Sequence, residues 1–149
     1  MTRDADPLSE IPTCAHCREM GLPVSDTLAR LETELGHDTL RAFLAAKGGR
    51  LVVIPVRAVA NADSDPIAAA LDWLRRDVGY GRWEVPLGPM ARRARLSWAI
   101  LTRLRAGRSL ATIAGELGCA LRTVTNHKTR FTRRGVLPAP ASTSRNTGQ

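Results

Sequence analysis

The stretch Leu110–Thr129, LATIAGELGCALRTVTNHKT, decides how this chain is read. Set in a helix-turn-helix frame, it places Ile113, Ala114, Leu117 and Val124 on the buried side and Gly118 at the corner. Two short helices crossing steeply come close only where the contact residue is small, here Ala114. The corner needs a residue that tolerates positive φ, here Gly118. Ser109 stands where its hydroxyl can accept a bond from a free N–H of the first turn, and Val124 plugs the second helix into the core. The alternative is a helical hairpin in an ordinary core. In a strongly basic chain, such a unit usually lays its second helix in the major groove of DNA.

Charge supports that use. Residues 1–90 carry 10 Lys/Arg against 13 Asp/Glu, a balance of −3, whereas residues 91–149 carry 12 against 1, a balance of +11. A half with the single acid Glu116 is an electrostatic footprint for a polyanion, and attraction to phosphates supplies most of its non-specific affinity. Double-stranded DNA is therefore the expected partner. Membrane surfaces fit less well, because the basic half keeps no strongly apolar amphipathic face once its helices pack together.

The base-reading residues are expected on the second helix, from about Leu121. Its outward positions are Arg122, Thr125, Asn126 and Thr129. Arginine bonds two acceptors of guanine and asparagine bridges the donor and acceptor of adenine, so Arg122 and Asn126 are the choices for direct readout. Thr125 can touch a thymine methyl or a phosphate. Lys128, Arg130, Arg133 and Arg134 continue past the reading positions and suit phosphates, which set register without reading sequence. Ser109, at the front of the first helix, completes the DNA-binding set. His127 occupies a place where such frames usually carry an aliphatic residue; it reads as a capping core histidine, a phosphate donor or a sign of unusual packing.

Ahead of this unit, Ala91–Ala106 reads as a strong helix, apolar at Leu96, Ile100, Leu101 and Leu104 and basic at Arg92, Arg93, Arg95, Arg103 and Arg105. It makes the third member of a three-helix domain spanning 89–134, with Trp98 in its core. The tail 135–149 is rich in Pro, Ser, Thr and Gly and is expected to be disordered.

Residues 25–88 read as an oligomerisation domain of helices and two short strands. Leu28, Leu31 and Leu35 follow helical spacing up to Gly36, and Asp38 can cap a second helix to Lys47. Gly48-Gly49 stops it, and Leu51-Val-Val-Ile-Pro55 is a brief strand. The arrangement then recurs: Asp65-Pro66 is a cap followed by proline at the first helical position, Ile67, Ala70, Leu71 and Leu74 form a face, and Arg82-Trp-Glu-Val-Pro86 follows Gly79. At an offset of 31, Leu40 falls on Leu71, Phe43 on Leu74, Gly48 on Gly79, Ile54 on Val85, Pro55 on Pro86 and Val56 on Leu87. This suggests a tandem helix, glycine, strand, proline unit. The strands need each other, or those of a second subunit, to cover their edges. The fold class is thus mainly α, with N-terminal helices and two short β-strands joined to a C-terminal three-helix domain.

Residues 1–24, punctuated by Pro7, Pro12 and Pro23, read as an extended arm. Within it Cys14, His16 and Cys17 carry the one trace of metal-ligand chemistry. Two thiolates at this spacing supply half of a tetrahedral zinc site, with His16 or His37 as a third ligand. No second pair follows, so the alternative is two free thiols on a loose arm, and neither metal nor cofactor is expected. Three cysteines, an odd number with Cys119 inside the helix-turn-helix, argue against a disulfide framework and for a reducing compartment. The acidic N-terminus is neither a signal peptide nor an anchor, which places the protein in the cytoplasm.

The order helix, glycine pair, short strand, proline, basic helix, helix-turn-helix resembles the Mor/C family of phage transcription activators. The residues carrying the resemblance are Gly48-Gly49 with Val53-Ile54-Pro55, Gly79-Tyr80-Gly81 with Glu84-Val85-Pro86, and the region from Arg93 to Val124; it spans roughly residues 28–131. It implies a homodimer, held by the helical and strand domain, that binds an inverted repeat upstream of a phage or prophage promoter and recruits RNA polymerase. Gly81 and Pro86 would shape the strand and linker, and Arg122 and Asn126 would read DNA. The chain departs from the family in duplicating the helix and strand unit, in lacking the usual tyrosine before the last aliphatic strand position, and in the Cys14–Cys17 arm.

A phage assembly component, such as a small terminase subunit, also joins helix-turn-helix modules to an oligomerising part and is the alternative. An enzyme is not expected: metal-assisted phosphoryl chemistry needs clustered carboxylates, and the basic half has only Glu116.

Overall fold

The computed structural model describes residues 6–138. It is mainly helical, with one two-stranded antiparallel sheet. The elements run α1 (Cys14–Glu19), α2 (Asp26–Leu35), α3 (His37–Lys47), β1 (Leu51–Ile54), α4 (Pro66–Asp77), β2 (Gly81–Glu84), a 3-10 turn (Gly88–Met90), α5 (Arg92–Arg105), α6 (Leu110–Leu117) and α7 (Leu121–Arg133).

Local chemistry accounts for most helix starts. Ser25 accepts bonds from the N–H groups of Thr27 and Leu28 to open α2. Asp65 accepts from the Ile67 N–H, with Pro66 in the first turn of α4. Each such cap satisfies a donor that the helix itself cannot. Asp38 does not cap α3 as expected. The helix already begins at His37, because Gly36, at φ 96°, both closes α2 and opens α3: its N–H donates to the Glu32 carbonyl and its own carbonyl accepts from Leu40 N–H.

One core gathers Leu28 and Leu31 of α2, Leu40, Phe43 and Leu44 of α3, Ala70, Trp73 and Leu74 of α4, Val85, and the inward strand residues Val52 and Ile54. Side chains alternate across β1, so Val52 and Ile54 are buried while Leu51 and Val53 face outward. The strands pair within the chain, in the register Leu51–Glu84, Val52–Trp83, Val53–Arg82, Ile54–Gly81. Trp73, unassigned from sequence, is buried and donates its indole N–H to Glu34 over 2.9 Å. Emptying a site such as that of the fully buried Phe43 costs roughly 3–5 kcal/mol.

The second core joins α5, α6 and α7 to the N-terminal segment: Leu8, Cys17, Met20 and Leu22 pack with Trp98, Ile100, Leu101, Ile113, Leu117, Val124, Phe131 and Leu137. The expectation of an extended arm over residues 1–24 is therefore corrected. Thr13 and His16 form a reciprocal capping box that starts α1, and the helix turns Cys17 and Met20 into the three-helix core. The segment is also tied from outside. Arg134 donates to the carbonyls of Glu19 (3.2 Å) and Arg18 (3.4 Å) at the end of α1, the latter also accepting from Gly21 N–H. Residues 136–137 likewise pack on this core, whereas the expected disorder beyond Pro138, and residues 1–5 of the arm, lie outside the described residues. Among those described, no helix is long and apolar enough to cross a membrane.

Candidate nucleic-acid interface

Helices α6 and α7 are joined by Gly118, Cys119 and Ala120. Gly118 sits in the left-handed region (φ 65°, ψ 33°), where a Cβ is strained and glycine is not. Cys119 N–H donates to the Ala114 carbonyl over 3.1 Å, which folds the chain sharply back at this small residue. Ile113, Leu117 and Val124 are buried as expected, and Ala114 is partly covered against the same core. Ser109 accepts from the Thr112 N–H over 3.1 Å and donates to the Thr112 hydroxyl, so it caps α6.

On α7, Val124 and Phe131 are buried and fix which side faces out. Arg122, Thr125, Asn126, Thr129 and Arg133, spaced i, i+3, i+4, i+7 and i+11, are all exposed on the opposite side. This is one continuous stripe. Thr125 donates its hydroxyl back to the Leu121 carbonyl over 3.1 Å, which leaves its methyl to meet a partner. No side chain caps the start of α7, so its first-turn N–H groups add positive potential beside Arg122.

The flanks of the stripe are basic. Lys128 is exposed on one side and Arg130, half-buried beside Phe131, lies on the other. Burial first, and then the like charges of Arg93 and Arg134, lower the Arg130 pKa, so this flank gathers three guanidinium groups from α5 and the end of α7. Arg93 belongs to this cluster although sequence reasoning assigned it only to a basic helix; the α5–α7 packing that brings it there has no local sequence signal. Arg134 departs from expectation, since its guanidinium serves the end of α1. Among the described residues, no acidic side chain lies within ion-pair distance of Arg122, Lys128, Arg130 or Arg133, while Glu116 is held by Arg103 (3.0 Å) and Arg108.

His127 is a core-side histidine. Its Nδ1 lies 2.7 Å from the Thr123 carbonyl and its Nε2 3.2 Å from the Ser97 hydroxyl. A carbonyl only accepts, so Nδ1 carries the proton and Nε2 accepts from Ser97, the one buried polar residue of α5. Burial, with Arg130 and Arg93 nearby, lowers its pKa and holds it neutral.

The cysteine and histidine set does not assemble into a metal shell. Cys14 and Cys17 are buried rather than loose, and burial, aided by the Glu32 carboxylate, pushes their thiols up to about 12 and about 11. His16 spends its Nδ1 on the Thr13 N–H and stacks its ring on Trp98 at 4.0 Å. His37 pairs with Glu32 over 2.8 Å. Among the described residues, no three His, Cys, Asp or Glu side chains converge to hold a metal ion.

In comparisons with known proteins, no family model, no curated protein and no solved structure matches the chain.

Proposed function

We propose that the protein is a sequence-specific DNA-binding transcriptional regulator of phage or prophage type, in which α6 and α7 act as a helix-turn-helix and α7 enters the major groove. The observation that carries this reading is the exposed stripe Arg122, Thr125, Asn126, Thr129 and Arg133, flanked by basic side chains and backed by a buried Val124 and Phe131. Arg122 and Asn126 read base edges, while Lys128, Arg130, Arg133 and, from α5, Arg93 hold phosphates. The protein works in the cytoplasm, as a homodimer on an inverted repeat. Its role as an activator, with RNA polymerase as partner, rests on the resemblance to the Mor/C family. It is not an enzyme in this reading.

The test is fluorescence anisotropy on a random-sequence duplex at rising salt, with light scattering of the same samples. The expected result is a dimer whose affinity falls with a log–log slope of about −0.9 for each phosphate neutralised. A ring of many subunits, or no DNA binding at low salt, overturns the proposal; the ring points to an assembly protein.

A further inference from the structure

The two strands cover one another on one side only. Among the described residues the sheet is two-stranded, and the far edge of β2 carries backbone groups with no partner there. Which groups these are follows from the ladder. Val85 N–H donates to the Arg50 carbonyl and Gly49 N–H to the Val85 carbonyl, and antiparallel pairing alternates from there. Val52–Trp83 and Ile54–Gly81 are then the bonded pairs. The N–H and C=O groups of Arg82 and Glu84 point away, to the open edge.

Among the described residues no strand pairs with that edge, Arg82 and Glu84 are exposed, and neither is ion-paired. Tyr80, at the entry to β2, is 72% exposed. Charged side chains normally blunt an edge against pairing. Here the order Arg82-Trp83-Glu84 does the reverse. About a two-fold axis at Trp83, an antiparallel copy of the strand sets Arg82 opposite Glu84 and Glu84 opposite Arg82.

We propose that a second copy of this chain docks at the β2 edge in this register, making a four-stranded sheet β1-β2-β2-β1 across the two-fold axis. The backbone and the side chains select the same register, because the outward-facing groups of Arg82 and Glu84 become the bonded pairs. The two Trp83 residues meet in the close, non-bonded pair at the axis, and Tyr80 of each copy comes opposite Pro86 of the other. The β1 edge offers no such charge matching, since its outward residues are Leu51 and Val53. This inference rests on the homodimer reading above and gives it a surface: β1 and β2 pair within the chain, and the pair of chains is made by the edge left over.

The experiment is sedimentation equilibrium of the full chain without DNA, for wild type, Arg82→Glu, Glu84→Arg and the double exchange. Each single variant puts like charges opposite one another at two symmetry-related places and is expected to weaken self-association by roughly tenfold or more; the double exchange restores it. Circular dichroism melts confirm that each variant is folded. A wild type that stays monomeric, single variants that still pair, or a double exchange that stays apart each overturn the proposal. Affinity for a random-sequence duplex, measured on the same variants, separates the outcomes. DNA binding that persists while the pairing pattern fails removes this interface alone, and a folded dimer that binds no DNA removes the regulator reading alone.

Discussion

Val52 and Trp83 stand 31 residues apart, the offset that aligns the two helix and strand units, and they face each other directly across the sheet. Residues equivalent in the two units thus meet where a pseudo-two-fold axis crosses the strands. The relationship yields a test of the ladder. Val52→Pro removes a donor from the central bonded pair and leaves the Trp83 carbonyl without it, a cost of roughly 1–3 kcal/mol before lost packing is counted. Val53→Pro removes an N–H that points outward and is expected to cost much less. Urea unfolding of the two variants decides; a larger loss for Val53→Pro than for Val52→Pro would show the alternation is reversed.

The buried thiols give a chemical prediction. A thiol reagent attacks the thiolate, and Cys14 and Cys17, pushed up to about 12 and about 11, hold almost none of it at pH 8. Cys119, half-buried at the corner before α7, is the reactive one. Titration of native protein with a chromogenic disulfide is expected to show one thiol, and three after denaturation. Fast reaction of two or three in the native state would mean that the N-terminal segment does not stay on its cores.

How legible this was depended on whether the signal was local. The Gly118 corner, the Asp65-Pro66 start of α4 and the two short strands were readable because each follows from a residue or two with restricted backbone or hydrogen-bonding choices. The course of the N-terminal segment was not. A six-residue α1 is too short to show periodicity, and what holds it, Met20 in the three-helix core and Arg134 on the Glu19 carbonyl, is contact across more than a hundred residues. Proline spacing favoured an arm, and tertiary packing overrode it. For the same reason Arg134 read as a phosphate ligand, and Arg93 was missed beside Arg130.

Stability is expected to depend on pH through His127. Its folded pKa lies below the ordinary 6.5, so the unfolded chain binds the proton more readily. The stabilisation is complete above about pH 6.5 and is lost as pH falls below it toward the folded value. Protonation also reverses the Ser97 bond, since Nε2–H then donates to the hydroxyl oxygen, which must turn its own proton elsewhere in a buried site. Thermal melts between pH 7.5 and 5.5 should fall in wild type and flatten in His127→Gln. An unchanged slope in the variant would assign the effect to other groups.

Glu116 sets a limit on non-specific binding. It pairs with both Arg103 and Arg108, offsetting one of their two charges, and is the only acid beyond residue 90. Glu116→Gln should lose at most about 1 kcal/mol of stability, because the pairs are at the surface. It should tighten binding to random duplex at low salt, with a steeper salt slope. No change on DNA would place α6 away from the phosphates.

The stripe on α7 separates reading from holding. Arg122, in the first turn, is placed to bond guanine, so Arg122→Ala is expected to lose roughly 1–3 kcal/mol on a site selected from a random library and little on non-specific duplex. Arg133, at the far end of the same stripe, is placed for phosphate. Arg133→Ala should weaken both duplexes alike and lower the salt slope by about 1. Anisotropy titrations of both variants on both duplexes, at two salt concentrations, give the comparison. Equal losses for Arg122→Ala on the two duplexes would show that it contacts only phosphate and would pass the reading role to Asn126 and Thr129.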